Sequence, residues 1–317
     1  MNKTLLQKSG LSLDRLQNFC MVADAGGITR AADGEPARQS LYSRQIRELG
    51  EFFGTELTRR QGKGIVLTEA GVRLARVARE QFAALSEFQK ECASEPVTLT
   101  LAAGNSVLEW SLMPAVAQLC KAIPKVQVTI VNQRTHEIIA SLQDLRVDLA
   151  IVRKNAVPPR IKHLSFSTLE YALFVPSALG KGLDDQQVLA AMSKIPLAMS
   201  VGGDFRQNLN EAARKSKAPL HVTLSCASFT LAARALETGR FAAILPTVAA
   251  ETLRFGPYRI IKIPFLSQYE RHLCIAWNPR LAAVRPVIEK AVECLAVHWK
   301  DGESEGGRVR GHTGLLR

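Results

Sequence analysis

Two arginines and two serines share one side of a short amphipathic stretch, and their spacing suits the reading of a DNA major groove. Between about Ala37 and Phe53, the residues Tyr42, Ile46, Leu49 and Phe53 recur four, three and four positions apart, which predicts one buried helical stripe. At about 100° per residue the opposite side carries Ser40, Arg44 and Arg47, with Ser43 at its edge. Arginine can donate two parallel hydrogen bonds to guanine, and serine reaches bases or phosphates. A solvated charged face would look the same in isolation, so the neighbouring segments must decide.

Those segments supply a frame. Ser12 can cap a helix whose apolar positions are Leu16, Phe19, Cys20 and Ala23, and Gly26-Gly27 ends it. Thr29 caps a short second helix through Arg30-Ala31-Ala32, and Gly34 and Pro36 interrupt before the third. After Gly54, Leu57-Thr58-Arg59-Arg60 and Ile65-Val66-Leu67-Thr68 flank the turn Gln61-Gly62-Lys63-Gly64, a β-hairpin with a basic tip. Three helices followed by such a hairpin make a winged helix-turn-helix over residues 11–68. Its third helix would enter the major groove, while Arg59, Arg60 and Lys63 reach the backbone or minor groove.

At these positions the chain resembles the LysR-type transcriptional regulators. The residues that carry the resemblance are Leu16, Phe19, Gly27-Ile28-Thr29-Arg30-Ala31-Ala32, Gln39, Ser43-Arg44-Gln45-Ile46 and Leu49. Gly54, Leu57, Arg60, Gly62, Gly64 and Leu67-Thr68-Glu69-Ala70-Gly71 continue it. It implies double-stranded DNA as partner, with contacts at Thr29, Arg30, Arg38, Gln39, Ser40, Ser43, Arg44, Arg47, Arg59, Arg60 and Lys63. There are departures. Glu35 stands where the family has a buried leucine, Arg38 where it has serine, Gly50 where it has glutamate and Thr58 where it has phenylalanine. An unpaired buried carboxylate is costly, so the turn is expected to shift until Glu35 reaches water.

Residues 69–93 contain no proline and no glycine after Gly71. Leu67, Ala70, Leu74, Val77, Gln81, Leu85 and Phe88 form a narrow seam, with Arg73, Arg76, Arg79, Glu80 and Glu87 outside it. So narrow a stripe calls for a partner helix or for packing onto the chain's own domain. The resemblance implies that this linker helix pairs two subunits, in a homodimer or homotetramer.

From Pro96 the pattern changes to short strands alternating with helices. Val97–Ala102, Val126–Val131 and Asp148–Val152 read as strands around helices at Leu108–Ala122 and Glu137–Leu145, a parallel βαβαβ unit. The pattern repeats with strands at Ile195–Met199, Leu220–Leu224 and Phe241–Leu245. A strand at Arg271–Trp277 and a helix at Val284–Trp299 close residues 97–300. The fold class is α/β with an α-helical N-terminal domain: a winged helix-turn-helix, a long linker helix and two α/β lobes. Leu142 to Val152 and Leu245-Pro246 resemble the effector domain of the same family, which is like periplasmic binding proteins.

In open α/β sheets ligands sit at the carboxyl ends of strands. Those ends carry Asn105, Ser106, Arg134, His136, Arg153, Ser200, Val201, Ser228 and Thr230, the candidate effector residues. Arg134, His136, Arg153 and Lys154 either make the cleft mouth attractive to an anionic effector such as a carboxylate or are plain surface cations. Cys226 either senses oxidants or belongs to the core.

The balance of the chain is consistent with this reading. Of 317 residues, 41 are Lys or Arg against 29 Asp or Glu, a formal charge of +12 that favours polyanionic partners. Only 6% are aromatic, which argues against single-strand binding by stacking. The six cysteines form no CxxC pair and read as reduced, mostly core residues, so neither a zinc module nor any other metal site is expected. No GxSxG, P-loop, GxGxxG or HExxH motif occurs, so no enzymatic role and no cofactor are expected. No apolar run is long enough to span a membrane, and the N-terminus lacks a signal-peptide pattern, so a cytoplasmic location is expected. Residues 301–317, with four glycines and mixed charge, read as a flexible tail. A solute-binding protein of the two-lobed fold is the alternative function; it explains 97–300 but not the wing.

Overall fold

In the computed structural model, which describes residues 10–62, 64–93, 95–200, 203–215, 220–253 and 257–306, Ser12 opens the first helix. Its side chain accepts the Arg15 N–H at 3.2 Å and starts α1, Leu13–Ala25. Gly26 ends α1 at φ 67°, in the left-handed region that favours glycine. α2, Ile28–Ala31, is a single turn, and α3 runs Pro36–Phe53. Between them Asp33 (φ 50°) and Gly34 (φ 79°) both turn left-handed, and this shift leaves Glu35 exposed, 3.0 Å from Arg38. The small core of this domain holds Phe19, Val22, Ala32, Tyr42, Ile46, Leu49 and Leu57. Phe53 is a correction: expected in the buried stripe, it is exposed, set edge-on against Phe52 where the last turn of α3 outruns the core.

β1, Thr58–Gln61, pairs antiparallel with β2, Gly64–Leu67, from Thr58↔Leu67 to Gln61↔Gly64. Thr68 then caps the linker helix α4, Glu69–Ala93, by accepting the Gly71 N–H while donating to the Glu56 carbonyl. Gly71 lies so close to the Leu57 carbonyl that a Cβ there would collide with it. That close approach seats the linker on the hairpin.

The charged positions of α4 are a correction, since several expected on its outer side turn inward. The buried side is Gly71, Ala75, Ala78 and Glu87, with Arg76 and Arg79 half-buried. Val77, Leu85 and Phe88 of the apolar seam are 48%, 51% and 66% exposed. The small and charged residues face the chain's own domains because they bridge them. Arg79 binds Asp24 of α1 at 2.7 Å and donates to the Asp144 carbonyl at 3.2 Å, and Arg76 lies 3.7 Å from the Asp144 carboxylate.

The first lobe begins with β3, Thr98–Ala103, followed by α5, Asn105–Val107, a π-helical stretch Leu108–Leu112 and α6, Met113–Ala122. Pro114 has no N–H to return to the Trp110 carbonyl, which accounts for the loosened turn. β4, Gln127–Asn132, α7, Thr135–Gln143, and β5, Leu149–Arg153, follow. β6, Lys162–Leu169, runs through Glu170 into the second lobe: β7, Tyr171–Pro176, α8, Asp185–Ala190, β8, Leu197–Ser200, and α9, Gly203–Lys215. β9, Val222–Cys226, α10, Phe229–Glu237, β10, Ala242–Pro246, and β11, Tyr258–Ile261, complete it. The chain returns through a 3-10 turn, Pro264–Tyr269, to β12, Arg271–Trp277, α11, Pro279–Val284, and α12, Val287–Gly306.

The sheets order as β4-β3-β5-β12-β6 and β11-β7-β10-β8-β9. Both are mixed, not purely parallel as the βαβαβ reading implied. β12 is antiparallel to β5 and β6, and β7 to β10 and β11, because the chain crosses between lobes twice and each crossing reverses a strand. α12 also runs through 301–306, part of the stretch expected as a tail, since no proline stops it; residues 307–317 lie outside the described residues.

Pro286 splits the expected terminal helix and forces Arg285 out of helical geometry, at φ −134° and ψ 83°. The displaced guanidinium meets Glu87 of α4 at 3.2 Å, the Asp148 carboxylate and the Thr98 carbonyl. All three charged side chains are buried, and Asp148 also accepts the Thr100 N–H at 2.7 Å. Burial raises the Asp148 carboxyl above its ordinary value, with Arg285 opposing, so desolvation offsets much of the attraction. Arg285→Met is therefore expected to cost about 3–5 kcal/mol by stranding buried carboxylates. Adding Asp148→Asn should recover part of that loss in urea unfolding of the full chain; an Arg285→Met change under about 1 kcal/mol would contradict the cluster's role.

Candidate nucleic-acid interface and effector cleft

The outward side of α3 presents Ser40, Ser43, Arg44 and Arg47, all exposed, joined by Arg38. Arg44 and Arg47 are 62% and 70% exposed and loosely held by the carboxylates one turn on, Glu48 at 3.9 Å and Glu51 at 3.8 Å. Such exposed pairs are worth about 0.3–0.5 kcal/mol, so exchanging the carboxylate for phosphate or guanine costs little. Glu48 stays in place when Arg44 leaves, because Arg15 of α1 grips it at 2.8 Å. Thr29 is exposed on α2, and Arg30 folds back to donate to the Gly26 carbonyl at 2.5 Å. Gln39 is half-buried, while Arg59 and Arg60 are exposed on β1. Lys63 lies outside the described residues.

Sequence reasoning missed what fixes the angle of this helix. Asn18 donates to the Gln45 side chain at 2.7 Å, tying α1 to α3 midway along the reading helix. The signal was the amide at Gln45, one position off the apolar stripe and facing an equally polar position in α1.

Between the lobes, Asn105, Thr230 and Ser228 form one chain. The Asn105 amide of the first lobe donates to Thr230 Oγ1 at 2.8 Å, and Thr230 Oγ1 lies 2.7 Å from Ser228 Oγ. Ser228 in turn accepts the Leu231 N–H and caps α10. Ser106 is half-buried on the same turn as Asn105, and Ser200 is buried at the end of β8, in register with Cys226. Val201 lies outside the described residues. Arg134 and His136 are exposed at the start of α7, where the Arg134 backbone N–H is taken by Glu137 at 2.7 Å. No hydrogen bond among the described residues joins them to the Asn105–Thr230 chain.

Arg153 does have company. It ends β5 opposite Leu273, and Arg271, which sequence reasoning did not single out, lies two residues before Leu273 on the adjacent strand. Because β12 is antiparallel to β5, its beginning shares the rim with the other strands' carboxyl ends. That was the signal missed. The Arg271 guanidinium sits 5.4 Å over the ring of buried Tyr171, and Tyr171 is 5.6 Å from Phe229. Burial lowers the Arg271 pKa, and Arg153 lowers it further. Burial raises that of Tyr171, against the pull of both arginines.

All six cysteines are free thiols; Cys20, Cys226 and Cys274 are buried, whereas Cys92 and Cys120 are exposed, against the expectation of core residues. Burial raises the Cys226 pKa, so it is a poor thiolate. No helix among the described residues is long and apolar enough to cross a membrane.

Comparison with known proteins agrees with this two-part architecture. Residues 13–72 match the model of the bacterial regulatory helix-turn-helix protein, lysR family, and residues 94–299 match the LysR substrate binding domain. The transcriptional regulator PecT of Dickeya dadantii is 30% identical over 151 residues, and the match spans about half of either protein, 46% of each. A probable nitrogen assimilation transcriptional activator of Synechococcus elongatus is 26% identical over 260 residues, 80% of this chain and 84% of that protein. The structure of a full-length OxyR variant from Pseudomonas aeruginosa superimposes with a TM-score of 0.60 over 90% of this chain and 94% of its own, at 17% identity, and so shares the fold. A helix-turn-helix segment, a linker and a two-lobed substrate-binding domain in one chain, each of the two domains matched by its own model, establish that this protein belongs to the LysR family of bacterial transcriptional regulators.

Proposed function

We propose that this regulator reads double-stranded operator DNA with α3 in the major groove and the β1–β2 wing on the backbone, and that a small anionic effector held between the lobes biases the arrangement of two reading heads. The observation that carries the reading is the exposed row Arg38, Ser40, Ser43, Arg44 and Arg47 on a helix whose other side buries Tyr42, Ile46 and Leu49. An effector can act this way only by binding one arrangement better than the other. The work is assigned to the cytoplasm, alongside DNA, and to regulation and not to catalysis. A solute-binding protein would have no use for the wing.

The dimer follows from α4. Val77, Leu85 and Phe88 expose an apolar row along a helix whose inner side is already committed to the chain's own domains. Burying such a row against the same row of a second copy yields about 25 cal/mol per Å² removed from water. Two subunits paired in this way would favour two half-sites on one DNA face, separated by whole helical turns.

Arg44→Ala and Arg47→Ala are each expected to abolish selective retention of operator fragments while leaving thermal unfolding unchanged; normal retention by either variant would place the reading surface elsewhere. Lys63→Ala should instead weaken binding to all sequences alike and flatten its salt dependence by about one phosphate contact. Leu85→Glu combined with Phe88→Glu should halve the mass seen by sedimentation. An unchanged mass would assign the subunit contact to another surface.

A further inference from the structure

The positive charge that favours a polyanionic partner lies mostly outside the domain with the reading helix. Residues 1–93 carry 14 Lys or Arg against 11 Asp or Glu, whereas residues 94–300 carry 24 against 15. One stretch of the first lobe concentrates it. From Leu149 to Leu169 the chain contains Arg153, Lys154, Arg160 and Lys162 and not one acidic residue. Glu170, the next acid, is turned to Lys262 at 3.4 Å.

Topology sets these cations along one flank. β5 and β6 both run antiparallel to β12, so the segment joining them must return the length of the sheet. Ile161 is buried on the sheet and Val157 packs beside it, which leaves Lys154, Arg160 and Lys162 exposed. Among the described residues, neither Arg160 nor Lys162 meets a carboxylate. Lys162 pairs with Trp277, and Trp277 with Leu149, at the end of the sheet where Asp144 meets Arg76 of the linker. Arg280, three residues past Trp277, is 62% exposed and 3.9 Å from the better shielded Glu80. The same end is tied to the DNA-binding domain by Arg79, which spans Asp24 and the Asp144 carbonyl. A lysine on an edge strand also guards against strand pairing. That does not account for Arg160, which precedes β6, or for Arg280, which lies on α11.

We infer that this flank binds the phosphate backbone of the duplex beyond the base pairs that α3 reads, drawing the flanking DNA toward the first lobe. Arg160 and Lys162 make the contacts, and Arg280 adds a third by leaving Glu80. This rests on α3 reading duplex DNA, and it adds a second contact that is independent of sequence. A duplex bends at modest cost over about 20–30 base pairs, and each neutralised phosphate releases counterions.

The test measures binding of the full-length protein, across salt concentrations, to a duplex it selects from a random pool. The duplex is used twice, trimmed to the protected base pairs and with about 30 more on each side. Each phosphate contact adds about 0.9 to the slope of log affinity against log salt, so the long duplex should be steeper by about two for each flank engaged. Arg160→Gln combined with Lys162→Gln should remove that difference and leave the short duplex unchanged. Lys181→Gln combined with Lys194→Gln takes the same charge from the second lobe and should preserve it. A loss that falls on both lengths, or that follows both pairs of substitutions alike, would overturn the inference. Equal slopes on the two duplexes overturn the flank contact alone, since the short duplex is still bound. Selection of no duplex at all overturns the DNA reading and this inference with it.

Discussion

Arg285 holds three parts of the chain in one arrangement. It reaches Glu87 on the linker helix and Asp148 at the head of β5, both buried, and the Thr98 carbonyl at the head of β3. The linker could otherwise take many angles against the effector domain, because its contacts there are small residues and long charged ones. A buried charge cluster tolerates little drift, since each ion removed from water must keep its partners. Together with Arg79, which joins Asp24 of the DNA-binding domain to Asp144 of the first lobe, it makes the linker a strut braced at both ends.

That bracing explains why the apolar row of the linker faces outward. A helix tied to its own domains by ion pairs and close-packed alanines has its remaining apolar side free for another helix. The DNA-binding domain follows the same economy in reverse. Its core is small, and its reading surface is left almost wholly to solvent, steadied from α1 at Gln45 by Asn18 and at Glu48 by Arg15.

Much of this was legible in the residues. The three helices and the wing follow from caps, glycines and one apolar stripe, and the recognition face Ser40, Arg44 and Arg47 is exposed as its spacing requires. Local signals fail where long-range pairing decides. Nothing near Arg271 says that its strand runs opposite to β5 and so delivers it to the cleft rim. Nothing near Glu87 says that a residue two hundred positions later will bury it. Phe53 and the linker's Arg79 and Glu87, expected on its outer side, fail for a related reason, since periodicity tells which side of a helix is apolar but not what covers each side. Arg134 and His136 were drawn into the candidate cleft by position at a strand end alone, whereas Asn105, Ser228 and Thr230 meet through side chains.

The loosened turn at Leu108–Leu112 has a mechanical meaning for the lobes. Trp110 grows from the first lobe but is buried among Ala172, Phe174, Leu245 and Ala249 of the second. A side chain rooted in one body and embedded in the other acts as a pivot pin. The lobes cannot part without drawing a large ring out of an apolar socket, and the wide π turn Leu108–Leu112 is the backbone that carries this ring from one body into the other.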